Sequence, residues 1–227
     1  VQAGRCVRSV YVTSGVSDGD VSYMQQRENG VKAAYAQMAG VANSWTTSDA
    51  GISGHPMPLV TLTGKPGVSL VFMRLPQAEW GAPFNPNAST LRNLWSGSIT
   101  SVQAQGGTST YTKTQLISTL ATLMTNFQPD TVRTQDYVGT FGDDDHDDHH
   151  AASYFARSSH LAYAGSHTFI GYQDYETENR AQNVTGADLT AKTNALYAYL
   201  NFVEGPCGSP PNCGNNEYTA WLKRQYV

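Results

Sequence analysis

The chain has 227 residues, a formal net charge of −4 and an isoelectric point near 5.8. That length holds one well-buried core, so a single domain over 1–227 is expected. The mild acidity excludes a general attraction for nucleic acid or anionic membrane, and no apolar run approaches the ~20 residues of a membrane span.

The chain opens on Val-Gln-Ala-Gly-Arg-Cys, which reads as a helix end running into a strand and carries no signal-peptide pattern. An upstream segment is therefore expected. Val7 to Thr13 is a β-rich run leaving through Ser14-Gly15, a buried strand and its exit loop, with Cys6 at its start as a buried free thiol. Ser22 to Met38 places Met24, Val31, Ala34, Tyr35 and Met38 at helical spacing, and Gly40 stops that helix. Leu59 to Thr63 and Val68 to Leu75 read as strands joined by a Gly64-Lys65-Pro66-Gly67 hairpin turn. Residues 76–110, rich in Pro, Asn, Ser and Gly, form a long surface excursion with one helical piece near Leu91 to Trp95. Excursions of that length often face substrate. Thr114 to Phe127 is an amphipathic helix, and Thr131 to Gln135 a strand. A helix from His149 to Ala164, a strand from Thr168 to Tyr172 and helices over Leu189 to Phe202 and Tyr218 to Tyr226 complete the order. Strands alternating with helices predict an α/β fold, a mainly parallel sheet with helices on both faces. Ligands then bind beyond the carboxyl ends of the strands.

One segment carries chemistry. Residues 143–150 read Asp-Asp-Asp-His-Asp-Asp-His-His, five carboxylates and three imidazoles in eight residues. Such a run repels itself unless a cation, solvent or a helix N-terminus compensates it. Its mixture of oxygen and imidazole donors suits Zn2+ or another divalent cation.

The segment His146-Asp147-Asp148-His149-His150-Ala151-Ala152, after a strand and opening a helix, resembles the second signature of the PIG-L/LmbE family of zinc-dependent de-N-acetylases. Val10-Tyr11-Val12-Thr13-Ser14-Gly15, Gln26-Arg27-Glu28 with Ala33-Ala34, and the closing Tyr218 to Tyr226 are also similar to segments of that family, so the likeness covers nearly the whole chain. The resemblance implies a Rossmann-like fold and an amino-sugar or glycoconjugate substrate of the N-acetylglucosamine type. It implies His149 as a metal ligand, Asp148 orienting an active-site histidine, and His146 as acid or stabiliser of the tetrahedral intermediate. Arg27 and Thr13 would meet substrate, although Gly30 stands where the family usually has a Glu.

The family's first signature, close to Ala-His-Pro-Asp-Asp-Glu, has no counterpart. His55-Pro56 is followed by Met57-Pro58. That signature supplies two metal ligands and an aspartate base after the first strand of the sheet. Three explanations stand: a chain missing its first strand and segment, a degenerate relative that binds carbohydrate without hydrolysis, or a site rebuilt with carboxylates of the aspartate run.

Plainer readings stand beside these. The Asp/His run is also a solvated helix cap, and Asp143 to Asp145 a weak calcium site in a secreted structural protein. His150 is expected to be exposed, and His55, His160 and His167 to be structural. Tyr23, Trp45, Trp80 and Trp95 either stack on a sugar or pack. Cys207 and Cys213 flank a turn-rich Gly-Ser-Pro-Pro-Asn insert that a disulfide would close. With the sequons at Asn87 and Asn183 and the low charge, they point to a secreted protein.

Overall fold

Residues Val7–Thr13 (β1), Trp45–Asp49 (β2), Pro58–Leu62 (β3) and Val68–Leu75 (β4) build a sheet in the order β1-β4-β3-β2. The computed structural model describes Val1 and residues 3–17, 19–203 and 217–227. The expected Cys207–Cys213 bridge lies outside these described residues. β1 runs parallel to β4, whereas β4, β3 and β2 are antiparallel neighbours. A turn as short as Gly64 to Gly67 joins strands only as a hairpin. The sheet is therefore mixed, not mainly parallel. The strands Thr131–Gln135 (β7) and Thr168–Tyr172 (β8) form a separate parallel pair. Between β4 and β7 in sequence lie β5 (Val102–Gln103) and β6 (Thr110–Tyr111), a small ribbon at the end of the 76–110 excursion. The sequence pattern missed β2, β5 and β6, which carry too few apolar residues to show a period.

The helices follow the expected order. Helix α1 (Val21–Ala39) begins where the Asp20 carboxylate accepts from the N–H groups of Ser22 and Tyr23, and ends at left-handed Gly40. Next come α2 (Leu91–Ser96), α3 (Lys113–Phe127), α4 (Asp147–Ala162), α5 (Gly186–Leu200) and α6 (Glu217–Leu222). Helix α3 starts with a reciprocal capping box between Thr112 and Gln115.

The main core lies on one face of β4, where Val71, Met73 and Leu75 meet Leu116, Leu120 and Leu123 of α3 and Ala151 and Phe155 of α4. On the opposite face, Leu70 and Phe72 pack with Val31 and Tyr35 of α1. Helix α5 then lies on α1 at Gly30, where a Cβ would meet Tyr199 at 2.7 Å. Glycine at position 30 thus serves close helix contact. The register of β1 with β4 slips between Tyr11 and Thr13, beside Arg74, whose φ is 60°. Glu28 of α1 holds the Arg74 guanidinium through contacts of 2.6 and 2.8 Å. Cys6 precedes β1 and is exposed, not the buried thiol expected, because the strand begins one residue later.

Phe155 has no exposed surface and joins α4 to the core below the Asp/His run. Replacing it with Ala should destabilise the fold by about 3–5 kcal/mol. Urea unfolding should show this as a lower midpoint at unchanged slope.

Candidate metal centre

The Asp/His run folds as a loop that becomes the first turn of α4. His146 is the N-cap: its Nδ1 accepts the Asp148 N–H at 3.0 Å. A ring nitrogen that accepts a backbone N–H carries no proton, so neutral His146 holds its proton on Nε2. That Nε2 is buried and has no partner among the described residues. Burial lowers the His146 pKa, against the opposing field of Asp148, and this favours the neutral ring.

One turn on, His149 Nδ1 lies 2.8 Å from Asp145 Oδ1 and 3.3 Å from Asp174 Oδ2. Ligand atoms from Asp145, His149 and Asp174 all fall within 4.8 Å of one another. Tetrahedral donors about 2.0–2.2 Å from one zinc lie roughly 3.4 Å apart, so the three side chains are near enough to converge on one ion after small adjustments. The second Asp145 oxygen, Oδ2, is buried with no partner among the described residues. An unpaired buried carboxylate oxygen beside an imidazole and a second carboxylate is a donor set that fits a divalent cation. Burial opposes the charged form of His149, yet the Asp145 hydrogen bond and the fields of Asp174, Asp145 and Asp148 together raise its pKa. Burial raises the Asp174 pKa, with His149 acting against it.

Asp148 takes a different partner from the one the resemblance implies. Its carboxylate accepts the N–H groups of Ala78 and Arg92, at 2.5 and 2.6 Å, and so ties the 76–110 excursion to α4. Burial raises its pKa, with the Ala78 and Arg92 amides opposing. His150 is buried, not exposed: its Nε2 meets Asp143 at 2.9 Å and its Nδ1 the Asp136 carbonyl at 3.1 Å. The turn of about 100° from His149 carries it inward. Gly139 makes that room, since a Cβ there would lie 2.4 Å from the His150 ring. Of the three leading aspartates, only Asp144 has neither burial nor an ion pair among the described residues; Asp145 is buried in the centre and Asp143 is paired.

An aromatic wall encloses the centre. Trp80 stacks on His146 with centroids 5.4 Å apart and meets the edge of Tyr175, which contacts His149 and Trp221. Trp80 keeps 60 % of its surface exposed. Burial, with Asp174 and Asp145, pushes the Tyr175 phenol up to about 12.

The expected site residues divide between two clefts that meet at the start of α4. Thr13, Arg27, Asp148 and His149 line one, and Asp145, His146 and Trp80 line the other. The Arg27 guanidinium lies beside Gly15 and over the Tyr23 ring, with Nε buried and without a partner among the described residues. Trp95 packs on Phe155, and Trp45 joins the α1 face of the sheet. His55 stacks on Tyr111, and His160 on Phe169 with His167 at its edge. Sequence reasoning missed Asp174 as a donor. Its position two residues past the end of β8, at a strand's carboxyl end, was the available signal.

Comparison with protein-family models, curated proteins and solved structures found no match.

The His150–Asp143 pair generates a pH test. Burial acts to lower the His150 pKa, but hydrogen bonds to Asp143 and the Asp136 carbonyl outweigh it and the net shift is upward. A raised folded-state value gives stability that is fully present below the unfolded pKa of about 6.5 and is lost as pH rises through the folded value. His150→Gln should therefore destabilise the metal-free chain more at about pH 6 than at about pH 9. Denaturant midpoints at the two pH values measure this.

Proposed function

We propose that the protein is a metal-dependent amide hydrolase of the PIG-L/LmbE kind, removing the N-acetyl group from an N-acetylglucosamine-type substrate. The observation that carries this reading is the Asp145–His149–Asp174 donor triangle with the unpartnered His146 Nε2 in the same loop and first turn. Asp145, His149 and Asp174 would hold a zinc ion, which would supply polarisation of the acetamide carbonyl and a more acidic water. His146, fixed as the Nε2–H tautomer by its own cap bond, donates to the oxygen that gains charge as water adds. Collapse then breaks the C–N bond as the leaving nitrogen takes the proton shed by the attacking water, which yields acetate and the free amine. The exposed face of Trp80 offers a platform for a sugar ring beside His146. Thr13, at the carboxyl end of β1, and Arg27 border the end of the neighbouring cleft that His149 also lines, and there they would meet substrate hydroxyl or anionic groups.

The same Trp80 face supports a second reading, a carbohydrate-binding relative without hydrolysis. We also propose secretion, on composition and on Asn87, an exposed sequon residue. Asn183 is a poorer acceptor of glycan, because its amide nitrogen donates to the Gln225 carbonyl and its oxygen accepts the Gln225 N–H.

Metal analysis and an acetate-release assay on N-acetylglucosamine conjugates test the proposal. About one zinc per chain is expected, and His149→Gln should weaken its binding by at least about 100-fold, the upper range for outer-sphere partners. Affinity should climb, with proton release, as pH rises through the raised His149 value. His146→Gln should keep the zinc and lose about 10²–10³ in kcat. Calcium in place of zinc, or an undiminished rate in the His146 variant, overturns the reading; sugar binding without acetate release selects the second.

A further inference from the structure

A cleft of about 850 Å³ separates β1 from β7. β1 pairs with β4 along one edge and β7 with β8 along one edge; among the described residues no strand lies on the other edge of either. The cleft follows both strands, with residues 6–15 on one side and 131–135 on the other. The two run in the same direction. Arg5, just before β1, pairs with Asp130, just before β7, and the far ends at Thr13 and Gln135 both border the cleft near His149.

In a parallel pair, successive residues send their amides to alternate sides. The Val7 N–H donates to the Gly67 carbonyl and the Thr168 N–H to that of Asp130. Given the registers of the two pairs, the backbone groups of Arg8 and Val10, before the register slip, and of Thr131, Arg133 and Gln135 point into the cleft. Burial agrees. No residue of β1 or β7 is fully buried, whereas β4 is buried everywhere except Arg74. The faces are apolar, since Val10 and Val12 pack with Leu120 and Leu123 of α3, and Tyr11 with Val31 and Tyr35 of α1. Two rows of peptide groups between apolar walls suit neither a polar metabolite nor a hydrocarbon chain, which would leave those groups unpaired.

We propose that this cleft takes one more β-strand, parallel to β1 and β7, which joins the two sheets into one continuous parallel-centred sheet. One strand between two others sets them about 10 Å apart, a gap that a single Arg5–Asp130 side-chain pair spans. The volume matches roughly six apolar residues at interior packing density. Apolar walls on both faces call for apolar residues at both alternating positions, a continuous Val/Ile/Leu-type run. The occupant is a segment of the same polypeptide outside these 227 residues. A strand bonded on both edges and covered on both faces enters only while α1 and α3 are unpacked, so it belongs to folding and not to reversible binding. The inference is independent of whether the metal centre hydrolyses amides.

Amide hydrogen exchange at Arg8, Val10 and Arg133, with intact mass after deglycosylation, tests it on the protein purified from its own source. The mass should exceed 24.6 kDa by at least about 2 kDa, a strand plus the dozen or more residues of a parallel crossover. The three amides should exchange as slowly as that of Val71 in β4, and at least about 100-fold faster in the 227-residue chain expressed alone. Rapid exchange of these amides in the source protein overturns the proposal, as does a mass equal to that of the 227 residues. Protection that appears in the 227-residue chain only at concentrations where sedimentation shows a dimer assigns the slot to a second copy, which also overturns it.

Discussion

Five aspartates within eight residues must each be compensated for this structure to exist. Unit charges about 4 Å apart repel by about 4 kcal/mol at the effective dielectric of a protein surface, several times what one surface ion pair returns. The fold resolves the conflict by giving nearly every carboxylate a different partner. Asp148 accepts two backbone amides of the excursion, Asp147 meets Arg92 at 3.0 Å, Asp145 meets His149 and Asp143 meets His150. Asp144 is left to solvent. The consequence is mechanical coupling: the carboxylate that lies in the first turn of α4 also anchors the loop that carries Trp80. The donor triangle and the aromatic wall beside it are therefore positioned by one set of bonds.

Capping and chemistry are joined at His146 in the same way. Helix N-caps are usually Ser, Thr, Asp or Asn, and any of these would satisfy the Asp148 N–H. An imidazole does so with one nitrogen and retains a second, polar, directed group on the far side of the ring. The cap bond fixes both the ring's orientation and its tautomer, and Trp80 stacked on the ring limits its rotation. A Ser at this position would hold the helix start equally well and leave nothing to face a reacting oxygen.

The sequence disclosed the elements better than their assembly. Strands β1, β4, β7 and β8 and the long helices announce themselves through period and through breakers such as Gly40, because burial of one face imposes that period locally. Sheet order is a long-range property. The hairpin at Gly64 to Gly67 was legible, yet its implication, an antiparallel edge on the sheet, was outweighed by the strand–helix alternation elsewhere. In the centre, His149 and His146 were legible because donors cluster within four residues. Asp174 lies 25 positions beyond His149, and only folding brings β8 beside β7 and carries that carboxylate to the imidazole. His150 was misjudged for the opposite reason: adjacency to His149 suggested solvent, while helical rotation turned it toward Asp136 and the Gly139 gap.

The unpaired groups around Tyr175 show what the centre is suited to meet. Asp145 Oδ2, Gln173 Oε1, His146 Nε2 and Arg27 Nε are buried without partners among the described residues, and Asp145 and Arg27 both act on the Tyr175 phenol. Each such group costs about 1–3 kcal/mol when left unmade, a cost that a complementary ligand would offset. The first two are acceptors and call for a cation. The last two, with Nε2 of His146 protonated, are donors and call for an oxygen carrying partial or full negative charge. On the proposed reading, a bound ion would meet the acceptors, and the oxygen that gains charge would meet the donors.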